Sequence, residues 1–152
     1  MNVQNAAKPQ SDQKLHLKFP SDNLSVRQAL QQVLGLRLSL DEKSVVEIVL
    51  AEVLNNIVEH AYQERPTGRI DLTIERHTAG LDFLVKDEGL PLPKDLPHTQ
   101  VMHDLNCAKD DLPEGGFGWL LVRELTENLH YEWREGQNIL TFRIAADTVA
   151  QN

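Results

Sequence analysis

The stretch LAEVLNNIVEHAY, residues 50–62, decides how this chain is read. Its Val, Leu and Ile residues recur at helical spacing, yet Glu52, Asn56 and His60 stand in line beside them at four-residue intervals. On a wheel of about 100° per residue with Val45 at zero, the apolar arc runs through Val49, Val53, Val46 and Ile57 to Leu50 at about 140°. On the same wheel Glu52 falls at about 340°, Asn56 at about 20° and His60 at about 60°, on or beside that arc. Glu47, Asn55 and Glu59 take the solvent side. A carboxylate or amide left unpaired on an apolar face costs a few kcal/mol, so these groups need partners, water or a ligand. An Asn oxygen is a hard ligand suited to Mg²⁺, and a carboxylate one turn away can orient water or accept a proton. A half-exposed rim of the core would explain the same pattern without chemistry.

Working outward, KLHLKF (14–19) alternates as a strand with one buried face. Pro20 and the Ser21-Asp22 pair break it and offer a helix cap to NLSVRQALQQVLG, which Gly35 closes. Asp41 is the expected cap of the longer helix running to about Tyr62. GRIDLTIERH (68–77) and GLDFLVKDEG (80–89) form a hairpin joined at TAG, and GGFGWLLVRELTENL (115–129) is a glycine-rich loop opening a helix. HYEWRE and QNILTFRIA pair about Gly136. Residues 90–114 carry four prolines and no periodicity, and so long an irregular connection is usually functional. Residues 1–13 and 146–152 are expected tails around a single domain at 14–145. Four or five strands and three helices, grouped rather than alternating, predict an α+β two-layer sandwich with a mixed, mostly antiparallel sheet and helices on one face.

At 152 residues the chain can bury a core without staples. A net charge of −8 argues against nucleic acid or an anionic membrane as a direct partner. The single cysteine, Cys107, suits a reducing compartment, and MNVQNAAKPQSDQ has no apolar core of a signal peptide, so a cytoplasmic location is expected. His98, His103 and Cys107 match no standard zinc spacing.

Two loops add chemistry. FLVKDEGLPLP ends an apolar strand with Asp87 and then Gly89, so an acceptor sits where the backbone can pass close to a ligand. A plain turn has the same composition. EGGFGWLLV sets Gly115, Gly116 and Gly118 at a helix start, a natural anion site, although it lacks the Walker A ending and the dinucleotide fingerprint. A flexible hinge would explain it as well.

The combination is more specific than its parts. An E-x-x-x-N-x-x-x-H helix, a strand ending D-x-G, a long irregular segment and a G-x-G helix start resemble, in that order, the nucleotide-binding fold shared by histidine kinases and gyrase (the GHKL superfamily, Bergerat-type fold). With its short N-terminal strand and helix, EVLNNIVEHAY and VKDEGLPLP, the chain looks most like the anti-sigma-factor serine-protein kinases over residues 14–145. The resemblance implies ATP and Mg²⁺ as cofactors. Asn56 would bind the Mg²⁺, Glu52 would act as general base or position the attacking group, and His60 would support the site. Asp87 would accept the adenine amino proton and Gly89 would make room for the base. Gly116 and Gly118 would approach the phosphates, and 90–114 would be the ATP lid.

The implied activity is a protein serine/threonine kinase acting on an anti-anti-sigma (STAS-type) partner, with a sigma factor bound in the alternative complex and a homodimer as assembly. Arg27 on the first helix is the implied partner-contact residue. The chain departs from the family pattern at Trp119, where a smaller aliphatic residue is more usual, at Glu114, and in a lid with only Lys94 and Lys109 as cations. A non-catalytic, nucleotide-responsive anti-sigma switch is therefore the competing reading: intact Glu52 favours the enzyme, and the sparse cations favour the switch.

Overall fold

A computed structural model describes residues 13–92 and 116–146. Their order is β1 (Lys14–Pro20), α1 (Asn23–Leu34), α2 (Leu40–Asn56), one π-helical turn (Ile57–Ala61), β2 (Arg69–His77), β3 (Gly80–Asp87), α3 (Gly116–Leu125), β4 (Glu127–Arg134) and β5 (Gln137–Ala145). The strands form one sheet in the order β1-β2-β3-β5-β4. The expected α+β sandwich forms, and its sheet is antiparallel at every pairing rather than mixed.

Strand parity decides what each face does. Leu72 and Ile74 of β2, Phe83 and Val85 of β3, and Phe142 and Ile144 of β5 are buried on one face. Phe83 and Phe142 are register partners whose rings stack with centroids 4.8 Å apart. Against this face pack Val46, Val49, Leu50, Val53 and Leu54 of α2 and Val26, Ala29 and Val33 of α1, each burial stabilising by about 1.5–3 kcal/mol for the larger side chains. Apart from the buried Ile139, the alternate side chains are exposed or half-buried and many carry charge, with His16 2.8 Å from Asp71 and Arg143 2.6 Å from Asp82. One covered apolar face and one solvated face is the usual condition of an antiparallel sheet.

The caps of the helices fix where α2 starts, and α2 positions the site. Asp22 caps α1 as expected, accepting from the Ser25 N–H at 2.7 Å. Ser39, not Asp41, caps α2. Its Oγ accepts from the Glu42 N–H at 3.0 Å while Glu42 Oε1 accepts from the Ser39 N–H at 3.0 Å, a reciprocal capping box. Asp41 lies inside the first turn, where its charge still complements the helix dipole. The Glu42 carboxylate, buried, also takes Arg76 in a fork: Nη1 donates to Oε2 at 2.9 Å and Nη2 to Oε1 at 2.8 Å. Nη2 further donates to the Arg37 carbonyl at 2.8 Å. This pins the start of α2 to the end of β2.

The third helix is shorter than the expected 115–129. It stops at Leu125, where Thr126 turns its Oγ1 back onto the Val122 carbonyl at 2.6 Å. Residues 127–129 join β4 through a register shift, with Asn128 at φ 56°, a left-handed position that Asn tolerates. No helix among the described residues is long and apolar enough to cross a membrane.

Candidate functional site

The site lies at the other end of α2. Four-residue spacing sets Glu52 and Asn56 on successive turns of one face. Glu52 is half-buried and Asn56 is 9% exposed, its side-chain amide without a hydrogen-bond partner among the described residues. Beyond Asn56 the helix widens into the π turn, in which the Tyr62 N–H donates to the Ile57 carbonyl at 2.9 Å. That i→i+5 bond breaks the constant angular step assumed for His60. The imidazole stands exposed, 3.9 Å from the Glu59 carboxylate. The structure does not bring His60 to the site.

Asp87 arrives by strand parity, at an inward position two residues beyond Val85. It is 5% exposed, and its Oδ1 accepts from the Gly89 N–H at 2.9 Å and from Asn138 Nδ2 at 2.7 Å. Its Oδ2 accepts no hydrogen bond among the described residues. Burial pushes its pKa above the usual carboxylate value, against the opposing pull of the Asn138 and Gly89 donors, and Glu88 adds repulsion.

The two glycines earn their places by close approach. At Gly89 a Cβ would stand 2.4 Å from the Ala61 carbonyl oxygen, where the chain leaving β3 crosses the π turn and the Leu90 N–H donates to that same oxygen at 2.7 Å. At Gly118 a Cβ would stand 2.1 Å from Glu52 Oε2, so the Glu52 carboxylate lies against the first turn of α3. Gly116 is the first residue of that helix. Of the expected lid, residues 93–114 lie outside the described residues.

Asn56, Asp87, Trp119, Tyr131 and Asn138 share the wall of one cavity with Val53, Ile57, Val85 and other apolar groups. Its volume is about 30 Å³, room for one or two waters and far short of the roughly 300 Å³ of a small-molecule pocket. Trp119, 2% exposed, is the bulkiest part of that wall, and its indole N–H has no acceptor among the described residues. A larger groove of about 820 Å³ runs around the outer end of the sheet past Tyr62, Arg69, Lys86 and Trp133. It shares Ala61 and Asp87 with the cavity, but neither Asn56 nor α3 lines it; Glu52 lines neither space and reaches the site through its contact with Gly118.

Asn138 and Tyr131 are the residues that sequence reading missed. Asn138 is the register partner of Asp87 and Tyr131 that of Leu140. The available signal was parity: in QNILTFRIA, Asn138 alternates with Leu140, Phe142 and Ile144, an amide at an inward position.

The donor set suits a magnesium nucleotide. Asp87 Oδ2 is an unused acceptor for an exocyclic amine, and the Asn56 amide is an unused ligand. Among the described residues no cluster of three or more His, Cys, Asp or Glu could hold a metal. A protein that offers Mg²⁺ one amide oxygen relies on substrate phosphates for the rest of its shell.

Comparison with known proteins agrees with this fold. Residues 19–144 match the family model of the histidine kinase-like ATPase domain. Serine-protein kinase RsbW of Bacillus mycoides (strain KBAB4) is 29% identical over 101 residues, 66% of this chain and 62% of that protein. The protein of the same name from Bacillus cereus (strain ATCC 10987 / NRS 248) matches to the same extent. The matched stretch thus spans about 62% of the length of these relatives. Among solved structures, the Erythrobacter litoralis EL346 blue-light activated histidine kinase superposes with a TM-score of 0.55 at 18% identity, over 84% of this chain and 41% of that one, a likeness of fold. With the motif order, the sandwich and the family match in agreement, the chain belongs to the histidine kinase-like ATPase domain family.

Proposed function

We propose that the protein binds MgATP in the cavity between α2, β3 and α3 and transfers the γ-phosphoryl group to a serine of an anti-anti-sigma (STAS-type) partner, holding a sigma factor in the alternative complex. The observation that carries this reading is the convergence of Asp87, Asn56 and the Glu52–Gly118 contact at one end of α2.

In this mechanism Asp87 Oδ2 accepts a hydrogen bond from the adenine amino group, and the Gly89 backbone leaves space beside it. Asn56 would hold Mg²⁺, which when bound would supply charge neutralisation on the phosphates. Glu52 accepts the serine hydroxyl proton as the serine oxygen bonds to the γ-phosphorus. The bond from that phosphorus to the β–γ bridging oxygen breaks, and ADP leaves. Phosphoryl transfer asks mainly for positioning and charge stabilisation, which suits a site built from a few fixed side chains. Serine-protein kinase relatives support the enzyme reading.

The competing reading, a switch that binds nucleotide without turnover, draws support from the tightness of the cavity around Trp119. Calorimetric titration with ATP and Mg²⁺ on the wild type, Asn56→Ala and Asp87→Asn tests the site. Micromolar binding weakened by both substitutions supports it, and absence of wild-type binding overturns it. Glu52→Ala then separates the readings: retained ATP binding with loss of partner phosphorylation supports the kinase, and unchanged partner regulation supports the switch.

A further inference from the structure

A directional chain of hydrogen bonds stands behind Asp87. The Leu92 N–H, which can only donate, gives its proton to the Tyr131 hydroxyl oxygen at 2.9 Å. The Tyr131 O–H in turn donates to Asn138 Oδ1. The Asn138 amide is thereby fixed the right way round, with its NH₂ group donating to Asp87 Oδ1 at 2.7 Å and to the Leu90 carbonyl at 3.0 Å. A backbone donor at one end and a carboxylate at the other leave the chain one polarity, so the orientation of the amide is dictated by its neighbours. Asn138 is 4% exposed and Asp87 5%, so water has little part in the arrangement. The Gly89 N–H completes the hold on Oδ1, leaving Oδ2 as the oxygen open to a ligand.

We propose that Asn138, oriented by Tyr131, is the positioning residue that presents Asp87 to a purine as a fixed acceptor and so sets the preference for a purine with an amino group at position 6 over one with a carbonyl there. This rests on the nucleotide reading of the cavity. A carboxylate free to swing can abandon the position-6 group and accept instead from the ring N1–H that a 6-oxopurine carries. One tied down through Oδ1 cannot make that move, and it faces the 6-oxo group with like partial charge. Discrimination built on a buried polar mismatch is large, because the rejected base leaves the acceptor unpaired.

The test is calorimetric binding of ADP and of inosine diphosphate, each with Mg²⁺, to the wild type, Asn138→Leu, Asn138→Thr and Tyr131→Phe. The wild type should prefer ADP by on the order of 100-fold. Asn138→Leu keeps the volume and loses the donor. Its preference should fall at least about tenfold, chiefly through weaker ADP binding. Asn138→Thr, whose hydroxyl can donate to Asp87, should recover most of the preference, a rescue that a merely packed side chain would not give. Tyr131→Phe keeps the ring but frees the amide to turn, and should narrow the preference by about three- to tenfold. If Asn138→Leu fails to fold, Tyr131→Phe carries the test. An unchanged ADP-to-inosine-diphosphate ratio in Asn138→Leu or in Tyr131→Phe overturns the inference while the nucleotide site stands. Wild type that binds neither nucleotide overturns both.

Discussion

The two ends of α2 are built on opposite terms. At the start, Ser39 and Glu42 cap each other and Arg76 closes on Glu42 with a two-pronged ion pair, so the buried charges there face one another. At the finish, Asn56 has an unengaged amide, Asp87 keeps one oxygen unused, and the Trp119 N–H lacks an acceptor among the described residues. One helix therefore carries an end anchored by a matched charge pair, at which Arg76 Nε lacks a partner, and an end whose polar groups are unengaged among the described residues. Unmet polarity in a buried place is a cost; matched opposite charges offset it at the anchored end, and among the described residues nothing does so at the other.

The comparison breaks most visibly at the anchored end. Arg76→Met leaves the Glu42 carboxylate buried without its guanidinium and should cost about 3–5 kcal/mol in urea denaturation, while nucleotide affinity of the folded fraction stays within about twofold. Replacing Glu42 together with Arg76 by apolar residues should return much of that loss.

At the open end Asp87→Asn should do the reverse. ATP binding should weaken on the order of 100-fold in calorimetry, with the melting temperature unchanged or raised by up to about 3 °C. The sign follows from burial, which raises the Asp87 pKa in the folded state. The folded protein holds that proton more tightly than the unfolded chain, so the group costs stability as pH rises from the ordinary carboxylate range through the raised value. Its use as an acceptor has the opposite sign, and wild-type ATP affinity should fall as pH drops through that same raised pKa. Among the described residues, the titratable groups that act on or are acted on by Asp87 are Glu88, Tyr62 and Tyr131.

Gly118→Ala sharpens the contrast on the catalytic side. The added methyl meets Glu52 Oε2, the far end of a flexible side chain, so the fold should survive with a change below about 1 kcal/mol. Single-turnover phosphoryl transfer should slow by about 10- to 100-fold as the carboxylate is displaced. His60→Ala is the smallest effect: an exposed imidazole beyond the π turn should change stability by less than about 0.5 kcal/mol and leave ATP affinity unmoved. A large loss of affinity in that variant would return His60 to the site.

What sequence made legible divides along similar lines. The alternation of β2 and β3 and the apolar arc of α2 predict the sandwich because burial repeats at a fixed period, and Asp87 and Asn56 inherit their positions from it. His60 went astray because a wheel assumes one angular step and the π turn does not keep it. The cap of α2 was misplaced by two residues because Ser39 and Asp41 are both good cap residues, and only the buried Arg76 decides that Glu42 must be the third residue of the helix. Asn138 and Tyr131 were passed over because their strands were read for pairing and not for which inward positions were polar. The end of α3 depended on Thr126 bonding backward, a local choice that a run of Leu and Val does not disclose.

The indole of Trp119 bears on time as well as on affinity. On the proposed nucleotide reading, a purine cannot share a space of about 30 Å³, so the wall would have to open before the base seats. If that opening precedes binding, the observed association rate should stop rising with nucleotide concentration and level off at the speed of an internal motion. The apparent dissociation constant then equals the intrinsic one divided by the fraction of molecules already open. Exchange of spent for fresh nucleotide would keep its own pace, and a cell could not hasten it by supplying more ATP.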